Sequence, residues 1–383
     1  MKILMVAIPN HHFFQWVNQL KNSGYEVFWF DVTDGGPKSD RINWVKQIKG
    51  WKLKWDFPFR SRIKKAFPSI YKFIQKYNEN TVYDEFKSQM ETIKPDIVHC
   101  FEMQLSGLPI LSIMEQNNVP FMYSSWGSDV FYFEQLGVTN EDLKSFYNRV
   151  DYLITDCKRD YKIAVNNGFN SAFLGVFPGN GGLEVDVSKI LPVSKRKIIL
   201  IKGYDDGVGK ASIIFKALES IPKAFFQNKE VVVYSADDTI KRQVEVSKQL
   251  SNLSIKIYSR YAFIENEKLL SFMGQSCIHI ANSISDGMPN ALLEAMAMGA
   301  FPIQSNPGQV TEEVVEHNKN GLLISNPNSP EEIAVHIQNA INNETLRKDA
   351  QNFNINYIQK YYNRATLQPE IQALYESVNA KSF

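Results

Sequence analysis

The chain has 383 residues, 44% of them hydrophobic and 22% charged, with a net charge of +1. A length beyond the point where one core stops growing argues for two domains, and the near-neutral balance excludes a general attraction to nucleic acid. The cysteines Cys100, Cys157 and Cys277 lie far apart in apolar segments without metal spacing, which points to a reducing, cytoplasmic setting.

Taken in order, Lys2 to Ile8 reads as a buried strand, followed by a helix whose Phe13, Trp16, Val17 and Leu20 share one face before Gly24. The opening apolar run is too short for a secretory leader, and no stretch approaches the ~20 apolar residues of a membrane span. Further strands are predicted at Tyr25 to Phe30, Asp96 to Cys100, Pro120 to Ser124, Asp151 to Thr155 and Ala172 to Phe177. Strands alternating with helix-length segments imply a parallel sheet covered on both faces. The pattern restarts at Lys197 to Ile201 and continues through Val231 to Tyr234, Ile255 to Tyr258, Cys277 to Ala281, Phe301 to Ser305 and Leu322 to Ile324. Between the two runs, Glu184 to Arg196 has charged, Ser and Pro residues with little periodicity and reads as the linker.

The chemistry centres on Asn282 to Gly299. An apolar run ends at Ala281, a polar loop follows, and an Ala-, Leu- and Met-rich pattern starts near Pro289 and stops at Gly299. Such a loop lies beyond the carboxyl end of a strand, where open α/β sheets bind ligands, and the helix start offers N–H groups to an anion. Asp286 hangs from the loop and Glu294 from the second helical turn. Two acids around an anion-holding loop suit a ligand with phosphate in the middle and hydroxyls at both ends, as in a sugar nucleotide. After the first strand of the second half, Gly203, Gly207 and Gly209 form a glycine-rich turn, with Lys210 beyond it placed to neutralise phosphate. Its spacing is not that of a Walker loop. Asp205-Asp206 and Asp237-Asp238 read as turn residues. His99 reads as a packed core histidine, and His279, His317 and His336 lack metal spacing, so no metal is expected.

The stretch resembles the donor-site signature of the family 4 retaining glycosyltransferases of the GT-B fold, also called glycosyl transferases group 1. That pattern is an acid, seven residues, Glu, then Ala-Met-Ala, Gly and a strand opening with Pro. Here it runs Asp286, seven residues, Glu294, Ala295-Met296-Ala297, Gly299 and Phe301-Pro302-Ile303-Gln304-Ser305. Pro95 to His99, Trp126-Gly127-Ser128-Asp129, Pro178 to Gly182 and Asn318 to Leu323 are similar to further family segments, so the resemblance covers most of the chain. It implies an α/β GT-B architecture of two Rossmann-like, doubly wound domains with an interdomain cleft: 1–186 for the acceptor and 187–363 for the donor. A C-terminal helix, 364–383, would cross back to the first domain.

The resemblance also implies roles. Glu294 would bind the ribose hydroxyls and Asp286 the transferred sugar, with the loop Gly287, Met288, Pro289 and Asn290 holding diphosphate and sugar through its N–H groups. Lys210 sits where the family has a diphosphate-binding Lys, beside Gly203 and Lys202, while Tyr204 stands where Arg is usual. Arg260 and Tyr261, in the turn after a second-domain strand, are assigned to the base. On the acceptor side stand His11, His12, Trp126, where many relatives have His, and Asp129, a candidate for holding acceptor or sugar. The implied activity is retaining, metal-independent transfer of a hexosyl unit from a nucleoside diphosphate sugar, a UDP-sugar first, without a cofactor. The acceptor would be a saccharide or lipid-linked, in surface polysaccharide or glycoconjugate synthesis. A GT-B-fold sugar-nucleotide epimerase and a sugar-nucleotide-binding protein without turnover are the alternatives.

Residues 41–76 hide a charge imbalance: eleven Lys or Arg against Asp56, interleaved with Trp44, Trp51, Trp55, Phe57, Phe59, Phe67 and Phe73. This suits a surface facing anionic headgroups at the inner face of the membrane, with Lys49, Lys52, Lys54, Lys64 and Lys65 as contacts and Trp51, Trp55 and Phe59 inserting. The other reading is a helical pair whose aromatics pack on the first domain.

Overall fold

Both runs of strands and helices form parallel sheets. In the computed structural model, which describes residues 1–262 and 264–381, the first sheet contains β1 (Lys2–Ala7), β2 (Glu26–Asp31), β3 (Lys46–Ile48), β4 (Ile97–Phe101), β5 (Phe121–Ser124), β6 (Tyr152–Thr155) and β7 (Ala172–Val176). Their order is β3-β2-β1-β4-β5-β6-β7. The second sheet contains β8 (Ile198–Lys202), β9 (Glu230–Ala236), β10 (Ile255–Ser259), β11 (Ser276–Ala281), β12 (Phe301–Ser305) and β13 (Leu322–Ile324), ordered β10-β9-β8-β11-β12-β13. Every strand pair is parallel.

Strands covered on both faces read as unbroken apolar runs. Accordingly, β4 and β11 are buried at every residue. The apolar runs locate all strands except β3, whose Lys46-Gln47-Ile48 has one apolar residue and lies at a sheet edge. In each sheet the order reverses once, between β1 and β4 and between β8 and β11. Connections leave these neighbours in opposite directions, which opens a crevice at their carboxyl ends.

The chain divides into two units, each with its own core. One comprises Met1–Asp156, Tyr161–Gly181 and the chain from Gln368; the other comprises Cys157–Asp160 and Gly182–Leu367. The C-terminal helix, Arg364–Lys381, contributes the fully buried Tyr375 to the first unit. The Tyr375 hydroxyl accepts from Trp16 Nε1 at 2.9 Å and lies 2.7 Å from His99 Nδ1, while His99 Nε2 lies 2.8 Å from Ser124 Oγ. Both ring nitrogens of His99 therefore have a hydroxyl partner, Tyr375 at Nδ1 and Ser124 at Nε2. Burial pushes His99 down to about 3 and keeps the ring neutral.

The basic segment is split between core and surface. Trp51 is buried, stacks on Phe30 with centroids 5.2 Å apart and donates from Nε1 to the Asp31 carbonyl at 2.9 Å. Lys49 pairs with Asp31 at 2.8 Å with its side chain 4% exposed. These two expected membrane contacts are therefore internal: a ring stacked in the core cannot insert into lipid, and a buried, paired ammonium cannot meet a headgroup. Trp55, Phe59, Phe67, Ile70, Phe73 and Tyr77 are exposed, on and beside the helices Arg60–Ala66 and Pro68–Asn78. Among the described residues no helix is long and apolar enough to cross a membrane.

Replacing Tyr375 with Phe would strand a buried indole N–H and the His99 Nδ1. Such groups cost about 1–3 kcal/mol when unpaired, so Tyr375→Phe is expected to lower unfolding free energy by about that much in chemical denaturation. An unchanged midpoint would show that neither partner depends on the hydroxyl.

Candidate active site

At the switch point of the second sheet, the loops following β8 and β11 are held together by backbone. Lys210 N–H donates to the Asn282 carbonyl at 2.9 Å, Ile284 N–H to the Val208 carbonyl at 3.0 Å, and Gly209 bridges Ser283. Glycine is required here. A Cβ on Gly203 would stand 2.6 Å from the Ala236 Cα, and one on Gly209 would stand 2.5 Å from the Tyr204 carbonyl oxygen. The adjacent acids close the turn: Asp206 accepts the Gly209 N–H and Asp205 the Ser212 N–H near the start of helix Ala211–Ser220.

A cavity of about 230 Å³ lies between these loops, with Lys202, Tyr204, Asn282, Ser283, Asp286 and Gln304 among its lining residues. Next to it, helix Asn290–Ala297 starts directly after Pro289. It ends at Gly299, whose φ of +69° lets the Ala300 N–H return to the Ala295 carbonyl at 2.9 Å. Leu292, Leu293, Ala295 and Met296 are core, whereas Glu294 is partly exposed and accepts from Asn266 Nδ2 at 3.1 Å.

One ammonium acts on both acids. Burial pushes Glu294 up to about 7, opposed by the Lys202 charge. Burial also raises Asp286, opposed first by Lys202, then by the Gly287 N–H and the Arg159 charge. The Lys202 ammonium lies 4.8 Å from the Tyr204 ring centre, and the Arg260 guanidinium lies 4.4 Å from it. Arg260 in turn pairs with Asp206 at 3.1 Å and Asp237 at 2.9 Å.

In the first unit, Glu102, Trp126 and Asp129 follow the carboxyl ends of β4 and β5. Asp129 is buried and accepts from the Met103 N–H, the Tyr123 hydroxyl and the Trp126 N–H at 2.9, 2.6 and 2.9 Å. Glu102 has a φ of +71°, sparsely populated for a non-glycine residue, and accepts from the Gln104 and Leu105 N–H groups. Burial and the Asp129 charge push Glu102 up to about 8. His11 and His12 begin helix His11–Asn18: the His12 N–H is capped by Asn10, and Arg41 Nη2 lies 2.7 Å from His11 Nδ1. The rings of His12 and Trp126 meet edge to face, with centroids 6.4 Å apart.

Two family models match the chain. "Glycosyl transferase 4-like" matches residues 2–157 and "Glycosyl transferases group 1" matches residues 185–357. The chain belongs to the group 1 glycosyltransferases of GT-B fold. An uncharacterized glycosyltransferase of Methanocaldococcus jannaschii is 25% identical over 251 residues, 61% of this chain and 62% of that protein, so the match spans about three fifths of the relative. Among solved structures, the sucrose-phosphate synthase of Thermosynechococcus elongatus is similar with a TM-score of 0.71 at 16% identity, over 100% of both chains. HepE of Anabaena in complex with UDP gives a TM-score of 0.71 at 12% identity, over 98% of this chain and 100% of that one. HepE is also solved in complex with UDP-glucose.

Within this group 1 chain, the structure brings Lys202, Gly203, Asp286, the Gly287–Asn290 loop and Glu294 together at one switch point. Lys202 lines the cavity, whereas Lys210 contributes its N–H to the loop bridge. Arg260 is engaged with two carboxylates, and Tyr261 is exposed. Sequence reasoning missed Arg159, which donates to the carbonyls of Pro307 and Asp286, both at 2.9 Å. It lies far away in sequence and in no motif. It also missed Glu102, and it gave no role to Asn282 or Gln304, which sit one residue after a buried strand and next to last in one, where side chains meet the sheet's carboxyl edge.

If Lys202 opposes the burial of both acids, Lys202→Met is expected to raise the Glu294 titration midpoint above about 7, read by carboxyl-carbon NMR. An unmoved midpoint would remove Lys202 from the electrostatics of the site.

Proposed function

We propose that the protein is a retaining glycosyltransferase that moves a hexosyl unit from a nucleoside diphosphate sugar to a saccharide or lipid-linked acceptor without a metal ion. The observation that supports this is the cavity at the second switch point, where one lysine faces two acids beside a helix start. In this reading Glu294 accepts the ribose hydroxyls and Asp286 holds the transferred sugar, while the Gly287–Asn290 loop and Lys202 receive the diphosphate. Because HepE binds UDP-glucose, UDP-hexoses are the first donors to test.

The bond from the sugar anomeric carbon to the phosphate oxygen breaks, and a bond to the acceptor oxygen forms on the same face. The acceptor's proton passes to the departing phosphate oxygen. Negative charge grows on the diphosphate as it leaves, and a fixed cation stabilises that state more than the ground state. In the first unit, Asp129 acts as a positioning residue, since its three donors fix Met103, Tyr123 and Trp126, while His11, His12 and Trp126 face the acceptor.

Glu294→Ala is expected to weaken donor binding by about 1.5–3 kcal/mol, the range for a charged hydrogen bond, and Asp286→Ala to lower turnover more than nucleotide affinity. In the empty protein Glu294 carries a proton below about 7, so binding through its carboxylate should tighten as pH rises through that value, and Glu294→Gln should flatten the profile. Calorimetry over that range decides; tight, pH-independent binding by Glu294→Ala sinks the donor reading. Binding without transfer or hydrolysis favours a non-catalytic sugar-nucleotide protein, and an epimerised donor favours an epimerase.

For the acceptor side, we read the exposed rings of Trp55, Phe59, Phe67 and Phe73, with exposed Lys64, Lys65, Lys72 and Lys76, as a surface for anionic membrane. A basic side chain near such a surface contributes about 1 kcal/mol, screened over ~8 Å at physiological salt. Vesicle co-sedimentation should show binding to anionic but not neutral lipid, weakened by salt and by Gln at those four lysines, with donor binding intact. Equal binding to both lipids, or none, favours a soluble saccharide acceptor.

A further inference from the structure

Gln304 and Asn282 carry an unusual feature: each has a buried amide oxygen with no hydrogen-bond partner among the described residues. Gln304 is 2% exposed and Asn282 5%. Both line the same cavity as Asp286 and Lys202. Their backbones are neighbours, because β12 pairs with β11 in a register that sets Gln304 opposite Ala281, the residue before Asn282. The orientation of Asn282 is fixed by its own amide hydrogens, since Nδ2 reaches the carbonyls of Pro327 at 2.8 Å and Lys210 at 3.3 Å. Its oxygen is therefore the free end.

Buried acceptors left unpaired are rare and call for a donor. A phosphate cannot supply one, because its ionised oxygens accept only. A hydroxyl can. In a nucleoside diphosphate sugar the hydroxyls belong to the ribose, which the reading above gives to Glu294, and to the transferred sugar, given to Asp286. Of those two acids, Asp286 is the one that lines the cavity with Gln304 and Asn282. We infer that the amide oxygens of Gln304 and Asn282 accept hydroxyl protons from the transferred sugar and make the enzyme selective for a donor hydroxylated at those positions. This rests on the donor reading proposed above and adds to it a residue, Gln304, that recognises the sugar and not the nucleotide.

The test separates sugar from nucleotide. Calorimetry on the full chain measures the UDP-, GDP- and ADP-hexoses together with UDP, GDP and ADP, for wild type and for Gln304→Met, which keeps length and removes the carbonyl. Gln304→Leu serves as a second variant. Removing an unpaired buried oxygen costs the empty protein nothing, so the thermal midpoint without ligand should equal or exceed that of wild type. Affinity for the nucleotide hexose should fall about tenfold, equivalent to about 1.4 kcal/mol, with affinity for the nucleoside diphosphate unchanged. Equal weakening of both ligands, or of neither, overturns this inference and leaves the donor reading standing. A lower thermal midpoint in both variants also overturns it, because Gln304 would then be structural. A wild type that binds no member of the panel overturns the donor reading, and this inference with it.

Discussion

The backbone bridge between Gly209 and Ser283 is the contact on which the geometry of the second unit's switch point depends. Strand order reverses between β8 and β11, so their following loops would otherwise diverge and leave an open crevice. The Lys210 N–H to Asn282 and the Ile284 N–H to Val208 zip the two loops before either leaves the sheet. That closure brings Lys202, the last residue of β8, to Asp286 in the loop after β11. The same closure explains why side chains at Gly203 and Gly209 would clash: the loops pass too near other backbone to admit a Cβ.

Burial has an electrostatic cost whose dependence on pH runs in opposite directions for the buried acid and the buried histidines. Glu294 is raised by burial from an ordinary value of 4.5 to about 7, so the fold holds a proton that the unfolded chain releases, and its contribution to stability fades as pH rises through that window. His99 and His279 are held near 3 against an ordinary 6.5, so their contribution fades as pH falls from about 6.5 toward 3. The site is thus least favourable to the fold where Glu294 is ionised. An occupant that hydrogen-bonds the carboxylate would offset the penalty, which is the relation expected between a strained site and its ligand.

The parallel architecture was legible because two-sided burial writes strands as apolar runs, and only β3, a polar edge strand, left no trace. Asp286 and Glu294 were legible because their spacing on a loop and the following helix is local. Long-range relations were not. Arg159 reaches Asp286 from a segment 127 residues away, and no periodicity marks such a contact. Trp51 and Lys49 show the converse failure: an aromatic beside basic residues looks interfacial, yet Trp51 stacks on Phe30 and Lys49 pairs with Asp31. Composition separates a basic aromatic surface from a buried ring only when the neighbouring sheet is known.

The same limit bears on Tyr204, where the family pattern leads one to expect Arg. A missing guanidinium suggests a weakened anion site when the residue is viewed alone. In the fold, two cations flank its ring, Lys202 from β8 and Arg260 from the turn after β10. They are not equivalent. Arg260 is offset by the carboxylates of Asp206 and Asp237, so its charge mainly holds the turn. Lys202 faces Asp286 and Glu294, both of which burial shifts toward their protonated forms. The burial that raises the acids and the placing of Lys202 beside them are two effects of one closed loop pair.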